Sequence, residues 1–124
     1  MTDQPSVARP ELDIDPAFLS RLSSMGGGQL VVQLIQMYFT RSVELLEAIN
    51  SGVVDNDFDA IKNAAHSLIS SSGNLGGQQV SYLSKVIEQA ALNQQIHEIE
   101  TYTKELIEFQ AAFIEYLKQD LENR

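Results

Sequence analysis

The chain has 124 residues, a length that fits one domain built around a single hydrophobic core. Hydrophobic residues make up 44% of it and charged residues 20%, a balance that excludes a wholly disordered protein. The formal net charge of −9 argues against a nucleic-acid-binding surface, because such surfaces need clustered Lys and Arg. The absence of Cys excludes disulfides, thiolate nucleophiles and Cys-ligated zinc.

The first eleven residues contain Pro5 and Pro10 and show no helical periodicity. We interpret residues 1–11 as a flexible N-terminal leader, followed by a domain over residues 12–121. The sequence contains neither a signal-peptide core nor the run of about 18 uncharged apolar residues that a membrane span requires. We therefore expect no membrane association and a cytoplasmic location.

The helical signals begin at Asp15-Pro16, which predicts the start of a short helix that ends before Gly26-Gly27-Gly28. A long helix is predicted from about Gln29 to Ser51, with Gly52 ending it. Its apolar face is predicted to contain Leu30, Leu34, Met37, Leu45 and Ile49, together with Val31, Ile35 and Phe39.

Three further helices are predicted in the second half of the chain. The acidic cluster at 55–57 offers a cap for the first of them, on which Phe58, Ile61, Ala65, Leu68 and Ser72 share one face. A breaker cluster at 70–77 precedes a helix that ends near residue 93, and the last helix runs from about 96 to 121. Short connections favour antiparallel neighbours, so the pattern predicts an all-α, antiparallel up-and-down four-helix bundle with a short extra N-terminal helix.

Residues 64–77, with the sequence AAHSLISSSGNLGG, resemble the central motif of the histidine-phosphotransfer (HPt) family. In that motif an Ala-His pair is followed by Leu, then by Lys and Gly, small residues, and a Leu-Gly pair that opens the next helix. Here Ile69 replaces the lysine and Ser70 the glycine that follows it.

The resemblance extends over roughly residues 12–119. Val80, Leu83 and Glu88 occupy positions where the family has two apolar residues and then an acidic or amide residue. Phe39 with Leu45-Leu46 resembles the preceding helix of the family.

The resemblance implies that His66 accepts a phosphoryl group from a receiver-domain aspartate and passes it to another receiver. The chemistry suits this role, because an ordinary imidazole is mostly uncharged near neutral pH and can attack phosphorus without a separate base. Helical geometry also points His66 away from the apolar face that holds Ile61, Ala65 and Leu68. We therefore expect the ring to face solvent or a partner.

Several neighbours are candidates for supporting this chemistry. Lys62, one turn before the histidine, and Lys85 on the following helix could bring an ammonium group near the phosphoryl group in place of the missing lysine. Ser70 and Gly73 are small and leave room for the loops of a receiver.

A receiver is expected to dock over the second and third helices. Met37, Tyr38 and Arg41 are its predicted neighbours, and an exposed Ile69 could join an apolar docking patch. The partners would be receiver domains of response regulators, a hybrid sensor histidine kinase, or both, and we expect a monomer.

No cofactor is expected, and Mg²⁺ would be bound by the receiver rather than by this chain. Residues Gly26-Gly27-Gly28 are followed by Gln29-Leu30 rather than by the lysine and hydroxyl residue of a nucleotide-binding loop, so no kinase activity is expected. Two alternatives remain open at this point: an HPt-like docking module without phosphotransfer, and a homo-oligomeric helical scaffold.

Overall fold

The computed structural model describes residues 11–124, so the interpretation of residues 1–11 as a flexible leader lies, apart from residue 11, outside the described part of the chain. Residues 11–124 form five helices and no strand. The helices are α1 (Phe18–Gly26), α2 (Gly28–Asp55), α3 (Phe58–Gly73), α4 (Gln78–Leu92) and α5 (Ile96–Glu122). The prediction of an all-α fold is confirmed, and none of these helices is long and apolar enough to cross a lipid bilayer.

The four longer helices pack as a closed ring. α2 contacts α3 and α5, α4 contacts α3 and α5, and the short α1 lies against α2. The segments that join α2 to α3, α3 to α4 and α4 to α5 are only two to four residues long. Because such short connections reverse the chain direction, consecutive helices run antiparallel.

The core lies inside this ring and is mostly apolar. Its largest fully buried side chains are Ile35, Ile49, Ile61, Leu68, Ile87, Ile99, Leu106, Phe113 and Leu117. Burying one such side chain stabilises the fold by roughly 1.5–3 kcal/mol relative to leaving it in water. Tertiary packing of the amphipathic faces therefore holds the helices in place.

The junction between α2 and α3 corrects one prediction. Gly52 does not end α2, which continues to Asp55 and ends where Asn56 adopts a left-handed conformation with φ 53°. Gly52 is needed instead because α3 approaches closely, and a Cβ atom at this position would lie 2.6 Å from Cγ1 of Ile61. The predicted acidic cap is present, since Oδ1 of Asp57 accepts a hydrogen bond from the backbone N–H of Ala60 at 3.1 Å.

Candidate functional site

His66 lies in the middle of α3 with 73% of its side chain exposed. The opposite face of α3 is buried in the core and includes Ile61, Ala65 and Leu68. This arrangement agrees with the expectation that the ring faces solvent. A partner can therefore reach the imidazole without any rearrangement of the helix.

A carboxylate on the neighbouring helix orients the imidazole. Nδ1 of His66 lies 2.6 Å from Oε2 of Glu88 on α4, and only 18% of the Glu88 side chain is exposed. An ionised carboxylate can only accept a hydrogen bond, so the proton of a neutral His66 ring belongs on Nδ1. The lone pair of Nε2 is then free and points away from Glu88.

The family resemblance includes Glu88, but the sequence does not predict that Glu88 contacts His66. The signal that could have found it is the predicted hairpin of the third and fourth helices, which brings residues at similar distances from the turn side by side. The exact pairing of His66 with Glu88 depends on the rotation and the register of both helices, which periodicity leaves open.

The small residues proposed for access lie on the exposed face of α3. Ser70 follows His66 by one turn and Gly73 by two, and both are exposed. Neither residue carries a large side chain, and the half-buried Ile69 lies beside them. The surface beyond the imidazole is therefore low at Ser70 and Gly73.

Neither of the two candidate lysines bonds to the histidine, and Lys85 lines a groove between α4 and α5. Nζ of Lys62 is 4.0 Å from Oδ1 of Asp59, a long contact that leaves the ammonium group free to move. Lys85 is exposed on α4, three residues before Glu88. Among residues 11–124, neither ammonium group hydrogen-bonds or ion-pairs with His66.

A family model described as the Hpt domain matches residues 33–123. The chain belongs to the Hpt domain family. It is thus a histidine phosphotransfer module, and Hpt domains are phosphocarriers in phosphorelays rather than independent enzymes.

One solved structure extends the comparison to the three-dimensional fold. The crystal structure of histidine-containing phosphotransfer protein B (HptB) from Pseudomonas aeruginosa PAO1 matches this Hpt domain with a TM-score of 0.83 and 19% identity. The match covers 90% of this chain and 96% of that chain, and at this identity it shows a shared fold. A comparison with curated protein sequences gave no significant match.

The Hpt domain carries a shallow groove between α2 and α3, on the side of α3 next to the exposed strip. Met37 and Arg41 line it from α2, and Ser71, Asn74 and Leu75 line it from the end of α3 and the following turn. Met37 is 66% exposed, so its side chain is accessible to a partner. The guanidinium of Arg41 is also exposed and lies 3.5 Å from Glu44.

Two of the predicted docking residues are placed differently from the expectation. The side chain of Tyr38 is only 3% exposed, because its hydroxyl donates a hydrogen bond to Oε1 of Gln110 and its ring packs edge-on against Phe113. Tyr38 therefore supports the floor of the groove from inside the core and does not stand on the surface. Ile69 is half-buried rather than fully exposed, and its carbonyl accepts a hydrogen bond from the hydroxyl of Ser81.

Proposed function

We propose that His66 is the phosphoacceptor of a multistep phosphorelay, taking a phosphoryl group from the aspartate of one receiver domain and passing it to another. The observation that carries this proposal is the combination of an exposed ring with the 2.6 Å contact between Nδ1 and Glu88. That combination leaves Nε2 as an accessible nucleophile in the correct tautomer.

The transfer needs no acid or base from this chain. The lone pair of Nε2 forms a bond to phosphorus while the bond between phosphorus and the aspartate oxygen breaks, and the electron pair leaves with the aspartate carboxylate. The phosphorylated ring retains its proton on Nδ1 and becomes cationic. The carboxylate of Glu88 is placed to balance that positive charge, and the reverse sequence delivers the group to the next receiver.

Charge around the phosphoryl oxygens must come from elsewhere than position 69. Because Ile69 has no charge, we propose that Lys62 or Lys85 moves towards the phosphoryl group, and that the receiver supplies Mg²⁺ and its own cation. The weak contact of Lys62 with Asp59, at 4.0 Å, supports this role because little is lost when it breaks. Ser70 and Gly73 would admit the receiver loops.

The groove beside α3 is the proposed docking surface. Met37 offers an apolar contact, Arg41 offers a cation to an acidic partner surface, and the half-buried Ile69 lies on the same helix as His66. The partners we propose are receiver domains of response regulators, a hybrid sensor histidine kinase, or both, in the cytoplasm.

We also propose that the domain acts as a monomer. The exposed large apolar side chains are distributed over several helices rather than gathered on one face. The test is sedimentation at several concentrations, and a mass that rises with concentration would favour the homo-oligomeric scaffold instead.

The test of the phosphoacceptor compares the wild type with His66→Gln and His97→Gln after incubation with a phosphorylated receiver domain. His97 is a matched control because it is the other histidine of the chain and is 95% exposed on α5. We expect an acid-labile, base-stable phosphoryl label on the wild type and on His97→Gln, and none on His66→Gln. A label that persists in His66→Gln, or a wild type that takes no label from any of several receivers, would contradict the proposal.

A further inference from the structure

Ser81 on α4 makes a hydrogen bond that crosses to α3. Its hydroxyl donates to the backbone carbonyl of Ile69 at 2.9 Å. The other serines of this hairpin with bonded hydroxyls behave differently, since those of Ser71, Ser72 and Ser84 each donate to the carbonyl four residues earlier in their own helix. That local acceptor is ordinarily available to a helical serine, so the bond made by Ser81 reflects the close approach of the two helices.

Ser81 and Glu88 lie on the same edge of α4. Seven residues separate them, which is two helical turns, so both side chains point towards α3. Oγ of Ser81 lies 2.9 Å from the carbonyl oxygen of Ile69. Oε2 of Glu88 lies 2.6 Å from Nδ1 of His66. These two contacts join α4 to α3 at the level of the phosphoacceptor.

One end of the hairpin is the turn that joins the two helices. Gly77 packs against the ring of Phe113, where a Cβ atom would come within 2.5 Å of Cε2, so that end is held closely. Ser81 lies one turn further along α4, between this turn and the pair formed by His66 and Glu88. A hydrogen bond requires a donor–acceptor distance of no more than about 3.2 Å and weakens steeply when its angle falls below about 120°, so a slide of α4 would weaken the bond between the carboxylate and Nδ1.

We propose that Ser81 is a positioning residue for phosphotransfer. Its hydroxyl holds α4 in the register that places the carboxylate of Glu88 on Nδ1 of His66, and it acts through Glu88 without touching the phosphoryl group. The inference rests on the proposed function of His66. It adds the Ser81 hydroxyl to a site that otherwise consists of the His66 imidazole and the Glu88 carboxylate.

The test uses three single variants of the full chain. Ser81→Ala removes the bond between the helices. Ser84→Ala is the matched control, because Ser84 is a buried serine of the same helix whose hydroxyl donates within α4, to Val80 at 2.7 Å. Ser81→Thr keeps a hydroxyl and tests for rescue. Circular dichroism checks that all three variants retain the helical fold.

Two measurements are made on each variant. Nitrogen-15 NMR of the His66 ring, at roughly pH 8 where an ordinary imidazole is neutral, reports the fraction of rings with the proton on Nδ1. The initial rate of labelling by a phosphorylated receiver reports transfer. We expect Ser81→Ala to lower the Nδ1-protonated fraction and to slow transfer by roughly three- to ten-fold, the factor that corresponds to one net hydrogen bond.

We expect Ser84→Ala to match the wild type in both measurements and Ser81→Thr to restore both. The positioning role would be overturned if Ser81→Ala kept the wild-type ring shifts and labelling rate. It would also be overturned if Ser84→Ala lost as much as Ser81→Ala in both measurements, or if Ser81→Thr restored neither. Failure of the proposed function is distinguishable, because a wild type that takes no label still shows by NMR whether Ser81 controls the ring tautomer.

Discussion

The chemistry of His66 depends on a residue from another helix. With Glu88 accepting a hydrogen bond at Nδ1, the neutral ring presents Nε2 as its nucleophilic atom. In the proposed function the same carboxylate would face a cationic phosphoimidazole after transfer, and it would then stabilise the product as well as the reactive tautomer. Because 73% of the His66 side chain is exposed, solvent weakens this interaction, and the effect of removing it should be moderate.

We predict that Glu88→Ala slows labelling of His66 by roughly five- to twelve-fold, which corresponds to a net hydrogen bond of about 1–1.5 kcal/mol. Glu88→Gln should lose less, because the amide oxygen still accepts a hydrogen bond from Nδ1. Glu108→Ala is the control, since Glu108 is an exposed carboxylate on α5, a helix that does not pack on α3. The measurement is the initial rate of transfer from a phosphorylated receiver, and equal rates for the two alanine variants would contradict a role for Glu88.

At the scale of whole helices, two glycines differ in the space that surrounds them. Gly52 lies inside α2 where α3 crosses, and an added Cβ would meet Cγ1 of Ile61 at 2.6 Å and the carbonyl of Asp57 at 3.2 Å. Gly73 is the last residue of α3, and an added Cβ would lie 3.5 Å from Oγ of Ser81, an ordinary contact distance. Packing therefore requires a glycine at position 52, whereas position 73 has room for a methyl group.

We predict that Gly52→Ala lowers the free energy of unfolding by about 1–3 kcal/mol, because the overpacked junction outweighs the better helix propensity of alanine. Gly73→Ala should leave it unchanged or raise it by up to about 1 kcal/mol. Gly73→Ala should nevertheless slow transfer to His66, since the methyl group adds bulk at an exposed position on the face that a receiver must approach. Denaturant unfolding and initial labelling rates test both variants, and a destabilised Gly73→Ala or a stable Gly52→Ala would show that the packing is described wrongly.

The ring of helices is closed by a buried polar contact between its first and last members. The hydroxyl of Tyr38 on α2 donates to Oε1 of Gln110 on α5, and the tyrosine ring lies 5.4 Å from that of Phe113. Burial raises the pKa of the Tyr38 phenol above its ordinary value, with the hydrogen bond to Gln110 opposing the shift only in part. The folded molecule therefore holds this proton at pH values where the unfolded chain releases it.

This linkage predicts how global stability depends on pH. The contribution of Tyr38 is fully present below its unfolded pKa of 10.0 and decreases as the pH rises above it, by at most about 1.4 kcal/mol per pH unit. Tyr38→Phe should lose about 1–3 kcal/mol at neutral pH, because it leaves the buried Gln110 oxygen without a donor, but it should lose less further stability between roughly pH 9 and 11 than the wild type. Urea unfolding at both ends of that range tests this.

Tyr82→Phe is the matched control for Tyr38→Phe, because Tyr82 is 65% exposed. We expect it to reproduce the wild-type stability at neutral pH and the wild-type loss at high pH. If Tyr38→Phe loses as much stability at high pH as the wild type does, groups other than Tyr38 cause the loss of stability at high pH.

The helices, their order and the outward direction of His66 were predictable from sequence because each depends on local signals. Apolar periodicity marks the helices, and the side chain of Asp57 starts α3 through a hydrogen bond that involves only its own neighbourhood. The position of Ile61, Ala65 and Leu68 on one face is enough to orient His66. None of these features requires knowledge of a partner helix.

The buried face of α2 was predicted only in part: Val31, Ile35, Leu45 and Ile49 are buried as expected, but Leu30 and Met37 are exposed. Its buried residues are Val31, Ile35, Tyr38, Ser42, Leu45, Ile49 and Gly52, which repeat at alternating steps of four and three. Because Ser42 and Gly52 are not apolar, this repeat is hidden, and the exposed Leu30 and Met37 were counted in its place. Hydrophobicity alone could not distinguish the two faces, so Tyr38 was expected outside and Gly52 was expected to end the helix.

The sequence by itself determined the all-α fold and the exposed histidine of an Hpt domain, because both follow from the rotation of residues about a single helix axis. Only the tertiary structure decided that Glu88 meets Nδ1, that Ser81 bonds across the hairpin and that Tyr38 closes the ring through Gln110. Each of these contacts depends on the relative rotation and register of two helices, which are set by how their side chains pack together.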